Sequence, residues 1–250
     1  ILEVGLGGRL DAVNIIDPDI TIITTVDLDH TDWLGDTREV IGMEKAGIMR
    51  SERPVILGDE MPASVLRHAQ ELGAARFQFG RDYTLERHTD GFTWYGPRHQ
   101  KTFETDPSLV GDFQIRNAAM VLMAVDCLSA ELPVSDSAVD IAMRNTSLKG
   151  RFQQIEGDGD IPIILDVAHN PQSVMALRDN LVRFKPGSRL HAVFGLLSDK
   201  DLKSIVKLIG CEIDSWHLVG IDSGRGQSAR QLQVKMQENG VESSVQACDS

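Results

Sequence analysis

Several short stretches of this chain gather side chains that could do chemistry. Asp27-Leu28-Asp29-His30 closes a β-branched run, and a histidine beside carboxylates can ligate a metal or simply sit in a solvated loop. Leu165-Asp166-Val167-Ala168-His169-Asn170-Pro171 ends an apolar run and opens a helix at proline. The free N–H groups of such a helix start attract an anion, and His169 and Asn170 lie beside them. Asp166 is placed to accept a bond from a ribose hydroxyl; the alternative is a capping turn closed by an Asx-type bond. Glu3 interrupts the apolar Ile1-Leu2-Glu3-Val4. A buried carboxylate there needs a cation or donors, whereas an edge strand would leave it facing water. Glu44-Lys45 reads by itself as a solvated charge pair on a helix. Lys149-Gly150-Arg151 could reach a phosphate, and Gln114 and Asn117, opening a long helix, could read an adenine edge.

The elements that must position these groups follow from hydrophobic rhythm. Ile1 to Val4 and Ile20 to Val26 read as buried strands, the second as a parallel one, and Pro54 to Leu57 as another. Arg38 to Ile48 and Met61 to Leu72 have helical spacing, the latter stopped at Gly73. Between about 76 and 105, short alternating runs around Asp90-Gly91 and Gly96-Pro97 predict an antiparallel excursion. Gln114 to Leu132 and Ser135 to Met143 predict two helices. After Lys149-Gly150-Arg151 the pattern is regular: strands at 161–165, 191–197 and 216–221 alternate with helices at 171–184, 202–209 and 229–239. Ser198 is the expected N-cap of the middle helix. This β-α-β-α-β-α order predicts a parallel doubly wound sheet. The chain is therefore expected to be α/β, with a boundary near 148.

Composition narrows the function. The 250 residues are 42% hydrophobic, with a formal net charge of −12. That balance suits a globular protein and argues against nucleic acid, which needs a basic face. It allows a nucleotide, because Mg²⁺ and one or two arginines can bind ATP locally. Cys127, Cys211 and Cys248 are too sparse for a disulfide framework or zinc site, so a reducing, cytoplasmic setting is expected. No apolar run approaches the ~18–20 residues that span a bilayer. The segment from Gly5 lacks a dinucleotide fingerprint, since the third glycine would fall on Leu10.

Taken in order, these segments resemble the Mur ligase superfamily, and within it the folylpolyglutamate synthase / dihydrofolate synthase branch. The resemblance is carried by Glu3 to Ala12 (Glu-Val-Gly-Leu-Gly-Gly-Arg-Leu-Asp-Ala), Asp29-His30 with Leu34-Gly35, and Glu44 to Ile48. It continues through Asn117-Ala118-Ala119, Gly150-Arg151 and Leu165 to Pro171. It implies a central ATP-binding domain of P-loop type over 1–148, mostly parallel with the antiparallel excursion, and a Rossmann-like C-terminal domain over 149–250. It implies Mg²⁺, two ions, held by Glu3, His30 and a carbamylated Lys45. It also implies ATP contacts from Asn117, Arg151, Asp166 and His169, the last near the terminal phosphate, and a pterin contact from Asp11. Lys45 and His169 are the implied catalytic residues.

The implied reaction is ATP-dependent addition of L-glutamate to dihydropteroate or folate through an acyl phosphate, by a monomer with no nucleic-acid or membrane partner. The chain departs from the family pattern at Lys149, where proline is common, and at Phe113, where histidine often precedes the glutamine. A G-x-x-x-x-G-K-[ST] loop is absent from the 250 residues. The chain is read as a fragment whose parent carries that loop upstream, and these residues alone are expected to have little activity. A metal-dependent hydrolase using Glu3, Asp27, Asp29, His30 and carbamylated Lys45, a non-catalytic nucleotide-binding module, and a cell-wall muramyl ligase are the competing readings.

Overall fold

The computed structural model describes residues 1–157, 159, 161–184, 189–241 and 243–248. The chain forms two compact units, Ile1–Thr146 and Ser147–Ser250.

In the first unit, β1 (Thr21–Ile23), β2 (Pro54–Leu57) and β3 (Ala75–Gln78) form a parallel sheet in that order. β2 is central and buried on both faces, as parallel strands between helices are. Val55 and Leu57 join a core with Ile41 and Ala46 of α2 (Arg38–Ala46) and Val65 and Ala69 of α3 (Ala63–Glu71). Ile56 points the other way, against Ala119, Met120 and Met123 of α4 (Asp112–Cys127). These three strand residues are fully buried, and each such side chain contributes about 1.5–3 kcal/mol of transfer free energy.

The antiparallel excursion is a three-stranded meander of β4 (Thr84–His88), β5 (Gly91–Tyr95) and β6 (Gln100–Phe103). Its Phe92, Trp94 and Phe103 pack into the α4 core, together with Val139 of α5 (Asp136–Asn145). α2 is opened by Thr37, whose hydroxyl accepts from Val40 N–H, and α5 by Ser135. A one-turn helix, α1 (Thr31–Leu34), follows β1.

In the second unit, β9 (His191–Phe194), β10 (Ser215–Leu218) and β11 (Ser244–Ala247) run parallel, with β10 central. Burial alternates with period two. Phe194, Trp216, Leu218, Val245 and Ala247 belong to the core with α6 (Pro171–Phe184), α7 (Leu202–Ile209) and α8 (Ala229–Glu238), while His191, Val193 and Ser244 are exposed. The apolar stripe Leu202, Ile205, Val206 and Ile209 docks α7. Ser228 and Gln231 form a reciprocal capping box at α8.

Four expectations need correction. Ile1 to Val4 is not a strand: nothing among the described residues pairs with its backbone, and Ile1 and Leu2 are exposed. β8 (Pro162–Leu165) is hydrogen-bonded antiparallel to β7 (Gln153–Glu156), a strand that apolar periodicity did not reveal because its sequence, Gln-Gln-Ile-Glu, is polar. β3, with the sequence Ala-Arg-Phe-Gln, was concealed in the same way inside the region read as antiparallel. Ser198 does not cap α7; its hydroxyl donates to Arg225 O, and Asp201 accepts from Ser204 N–H instead.

One contact joins the loops that follow β1 and β2. Gly58 donates its N–H to Ile23 O, and a Cβ on it would lie 1.9 Å from Thr24 O, a backbone atom. Gly58→Ala is expected to lower stability by about 1–3 kcal/mol through overpacking, read as a fall in the urea midpoint with an unchanged slope. A midpoint within error of the parent would show that the two loops can separate freely.

Candidate functional site

The first unit organises the segment 5–17 on the end of α2. Gly8 lies over the last turn of that helix: a Cβ there would sit 2.8 Å from Glu44 O and 3.0 Å from Lys45 O. Arg9 N–H donates to Glu44 O at 2.9 Å, satisfying a helix-end carbonyl that has no intrahelical donor. Its guanidinium donates to the Glu44 carboxylate at 3.0 Å. Asn14 Nδ2 donates to Arg9 O and Gly47 O, and Arg50 donates to Asn14 O and pairs with Asp17. On the other side, a Cβ at Gly7 would meet Leu34 Cδ2 of α1 at 2.9 Å. The glycine loop thus lies between α1, whose N-cap is His30, and the α2 turn that carries Lys45.

Asp11 holds this loop in shape. Its Oδ2 accepts from Gly5 N–H (2.9 Å) and Leu6 N–H (3.0 Å), and its Oδ1 from Val13 N–H (3.1 Å), where it caps a short 3-10 helix, Ala12–Ile15. The Leu6 bond, then those from Val13 and Gly5, hold its carboxyl below the usual aspartate range.

Lys45 is half-buried, and its ammonium makes no ion pair or hydrogen bond to the described residues. The solvated Glu44–Lys45 pair is therefore not what forms; Glu44 pairs with Arg9. Glu3 stands in the exposed stretch that precedes the loop. His30 adopts a left-handed conformation (φ 51°, ψ 40°), its N–H donates to Asp29 Oδ1, and its ring is part-exposed. Among the described residues no three His, Cys, Asp or Glu side chains are grouped to hold a cation. Mg²⁺ commonly takes only one or two protein carboxylates and completes its shell with water and substrate phosphate. Glu3 would offer oxygen donors of that kind and His30 a nitrogen donor, whereas Lys45 could join them only if its amine were carbamylated. On α4, Asn117 Nδ2 donates to the buried Gln114 Oε1 at 3.2 Å, which leaves its own Oδ1 to accept.

The second unit assembles Arg151, Asp166 and His169 around the end of β8. Asp166 accepts from Phe152 N–H and Ala168 N–H, both at 2.8 Å. Val167 N–H donates to Gly150 O, and Gly150 (φ 69°) has no room for a Cβ beside Val167 Cγ1, 2.8 Å away. These bonds tie the Gly150-Arg151 turn to the 166–169 turn. The Arg151 side chain is exposed and without a partner among the described residues. Asp166 thus spends one lone pair of each oxygen on the turn, and its bond from Ala168 N–H, two residues on, is the Asx-type closure expected as the alternative to a ribose contact. Asn170 caps α6, its Oδ1 accepting from Ser173 N–H. His169 Nδ1 lies 2.9 Å from Val167 O. A carbonyl can only accept, so Nδ1 carries a proton and Nε2 is left facing outward.

Arg9, Asn14, Arg38 and Arg50 were not singled out by sequence reasoning. Their partners lie up to 36 residues away, beyond the reach of any local pattern.

Residues 150–250 match the family described as Mur ligase, glutamate ligase domain. Together with the α/β fold, this match places the chain in the Mur ligase superfamily. Escherichia coli dihydrofolate synthase/folylpolyglutamate synthase is 40% identical over 236 residues, 93% of this chain and 53% of that protein. A structure of E. coli FolC in complex with DHPP and ADP superposes with a TM-score of 0.86 at 36% identity, covering 99% of this chain and 56% of that one. A bifunctional folylpolyglutamate synthase/dihydrofolate synthase with Mn, AMPPNP and L-glutamate bound gives 0.83 at 36%, covering 98% and 57%. The chain belongs to the folylpolyglutamate synthase / dihydrofolate synthase family, and it spans about half the length of the relatives it matches.

The depressed Asp11 carboxyl has a checkable consequence. Its support of the loop is complete above the unfolded aspartate pKa and is lost as pH falls through the lower folded value. Acid titration followed by NMR should therefore move the Gly5, Leu6 and Val13 amide resonances together, with a midpoint below the ordinary aspartate range, and Asp11→Asn should remove that transition. A midpoint at or above that range would refute the assignment.

Proposed function

We propose that the protein carrying this chain is an ATP-dependent ligase that adds L-glutamate to dihydropteroate, to folate (poly)glutamates, or to both. The supporting observation is that the 40% identity to the E. coli enzyme runs through 93% of the chain. The matched region therefore extends across both the lysine-bearing turn of the first unit and the Arg151–His169 turns of the second. Relatives crystallised with DHPP and ADP, and with Mn, AMPPNP and L-glutamate, supply the substrate classes.

The chemistry has two stages. A substrate carboxylate oxygen attacks the γ-phosphorus of ATP, forming an acyl phosphate and releasing ADP. The neutral amine of glutamate then attacks the acyl carbon, the tetrahedral intermediate expels phosphate, and an amide remains. This class of reaction asks the protein chiefly to position groups and neutralise charge. Arg151, unpartnered on its turn, presents a guanidinium to phosphate oxygens. His169, with Nδ1 fixed on Val167 O, presents Nε2 to the terminal phosphate. Asn117 Oδ1 accepts from an adenine amino group, and Asp166 keeps a lone pair for a ribose hydroxyl while it orders the turn. Asp11 shapes the loop that meets the pterin.

Glu3, His30 and carbamylated Lys45 would hold Mg²⁺, which offsets the negative charge that accumulates on the phosphates. The half-buried, unpaired Lys45 suits carbamylation: its neutral amine adds to CO₂ and loses a proton, exchanging an unmatched cation for an oxygen ligand. Residues 1–148 and 149–250 are read as the central ATP-binding and C-terminal domains of a cytoplasmic monomer. No helix among the described residues is long and apolar enough to cross a membrane.

The coding sequence upstream of Ile1 should encode a glycine-rich loop ending in Gly-Lys-Ser or Gly-Lys-Thr. The full-length protein should show glutamate-dependent ADP release with dihydropteroate or tetrahydrofolate. Lys45→Ala should reduce turnover by about 10²–10³-fold, the scale of a lost electrostatic catalytic group, with unchanged circular dichroism. Near-normal turnover in that variant would eliminate the carbamate role, and an intact gene without the loop would eliminate the ligase mechanism.

A further inference from the structure

Arg38 occupies an unusual place. It is the first residue of α2, immediately after the Thr37 cap, where the helix dipole disfavours a cation. Helix propensity and dipole therefore give no reason for an arginine there. Its guanidinium instead reaches out of the helix in two directions. Nε donates to Val26 O at 2.9 Å, and Nη2 donates to Glu60 O at 2.6 Å. Val26 is buried at the end of the run that leads into Asp27, Asp29 and His30. Glu60 lies on the loop after β2, in a left-handed conformation (φ 48°) that is uncommon outside glycine. His30 is left-handed as well. Both loops leave the C-terminal ends of adjacent parallel strands, the usual location of a site in an open sheet.

We propose that Arg38 is a positioning residue: it clamps the loop that carries His30 to the loop after β2, and so holds the metal-binding histidine in place. The inference rests on the reading of His30 as a metal ligand. Because Arg38 and Lys45 share one nine-residue helix, the clamp also fixes the His30 loop to the body that presents the lysine. A planar guanidinium suits the task, since its N–H groups diverge in a fixed fork and can serve two carbonyls at once. A lysine at this position would keep the charge, but its three N–H donors all spring from one nitrogen and cannot diverge as the guanidinium fork does. The nearby acidic side chains Asp27, Asp29, Asp59 and Glu60 do not substitute for it, because carboxylates cannot donate to carbonyl oxygens.

The test uses the full-length protein with Arg38→Lys, Arg38→Ala, His30→Ala and the control Arg53→Lys, whose parent side chain makes only a long surface contact with Asp19. Mn²⁺ binding in the presence of AMPPNP is titrated by electron paramagnetic resonance, and amide hydrogen exchange is followed over 26–30 and 58–60. Both Arg38 variants should weaken Mn²⁺ binding by about tenfold or more, the scale seen when a partner that orients a ligand is lost. They should also raise exchange in the two loops and raise the metal concentration needed for half-maximal rate, while leaving the KM for glutamate unchanged. Arg53→Lys should change none of these. Normal Mn²⁺ binding in the Arg38 variants, alongside weakened binding in His30→Ala, would overturn the positioning role and leave the reading of His30 standing. Normal binding in His30→Ala would overturn that reading and the proposal together.

Discussion

With no Cβ on Gly8, the backbone of the glycine loop can lie directly on the last carbonyls of α2, and much of the first unit's site depends on that approach. A methyl group there would collide with Glu44 O and Lys45 O, both backbone atoms that cannot swing aside. The contact satisfies the helix end through Arg9 N–H and Asn14 Nδ2. It also determines what surrounds Lys45. Arg9 takes the Glu44 carboxylate, so the lysine is left half-buried with no counter-charge among the described residues. An ammonium in that setting is poorly matched to its surroundings, whereas a carbamate beside a cation would be well matched.

The second unit uses the same device with different parts. Gly150, in a left-handed conformation, lets one turn approach Val167, and Asp166 closes the gap by accepting from Phe152 N–H and Ala168 N–H. In each unit a carboxylate that accepts several backbone N–H groups shapes the turn: Asp11 in the first, Asp166 in the second. In each, a cationic or titratable side chain on the shaped turn or beside it, half-buried Lys45 or exposed Arg151 and His169, makes no ion pair with the described residues. Stability and function are thereby divided between neighbouring residues. The acids accept backbone N–H groups and order the turns, and the basic side chains beside them carry no ion pair with the described residues.

Much of the fold was legible because its cores obey simple periods. β2 reads as a continuous apolar run and is buried on both faces; α7 carries its stripe at helical spacing; Pro171 and Gly73 mark helix ends. β3 and β7 were missed because their residues are mostly polar, and their pairing comes from a neighbouring strand's backbone. Ile1 to Val4 failed for the converse reason: apolar residues make a strand only when a partner offers hydrogen bonds. The cap of α7 moved from Ser198 to Asp201 because the chain turns once more, held by Arg225 O, before it enters the helix. The α/β class survived these errors, since it rests on the larger apolar elements.

By itself the sequence determined the inventory: which reactive groups exist, which turns contain glycine, and which family has these motifs in this order. It did so because motif spacing and hydrophobic period are local properties. Only the tertiary structure decided what each group touches. That Glu44 pairs with Arg9 and not Lys45, that Asp11 and Asp166 order their turns, and that Arg38 bridges two loops are contacts across 5 to 35 residues. Such contacts are set by how strands and helices pack, because a hydrogen bond depends on distance in space and carries no trace in the spacing of the residues that make it.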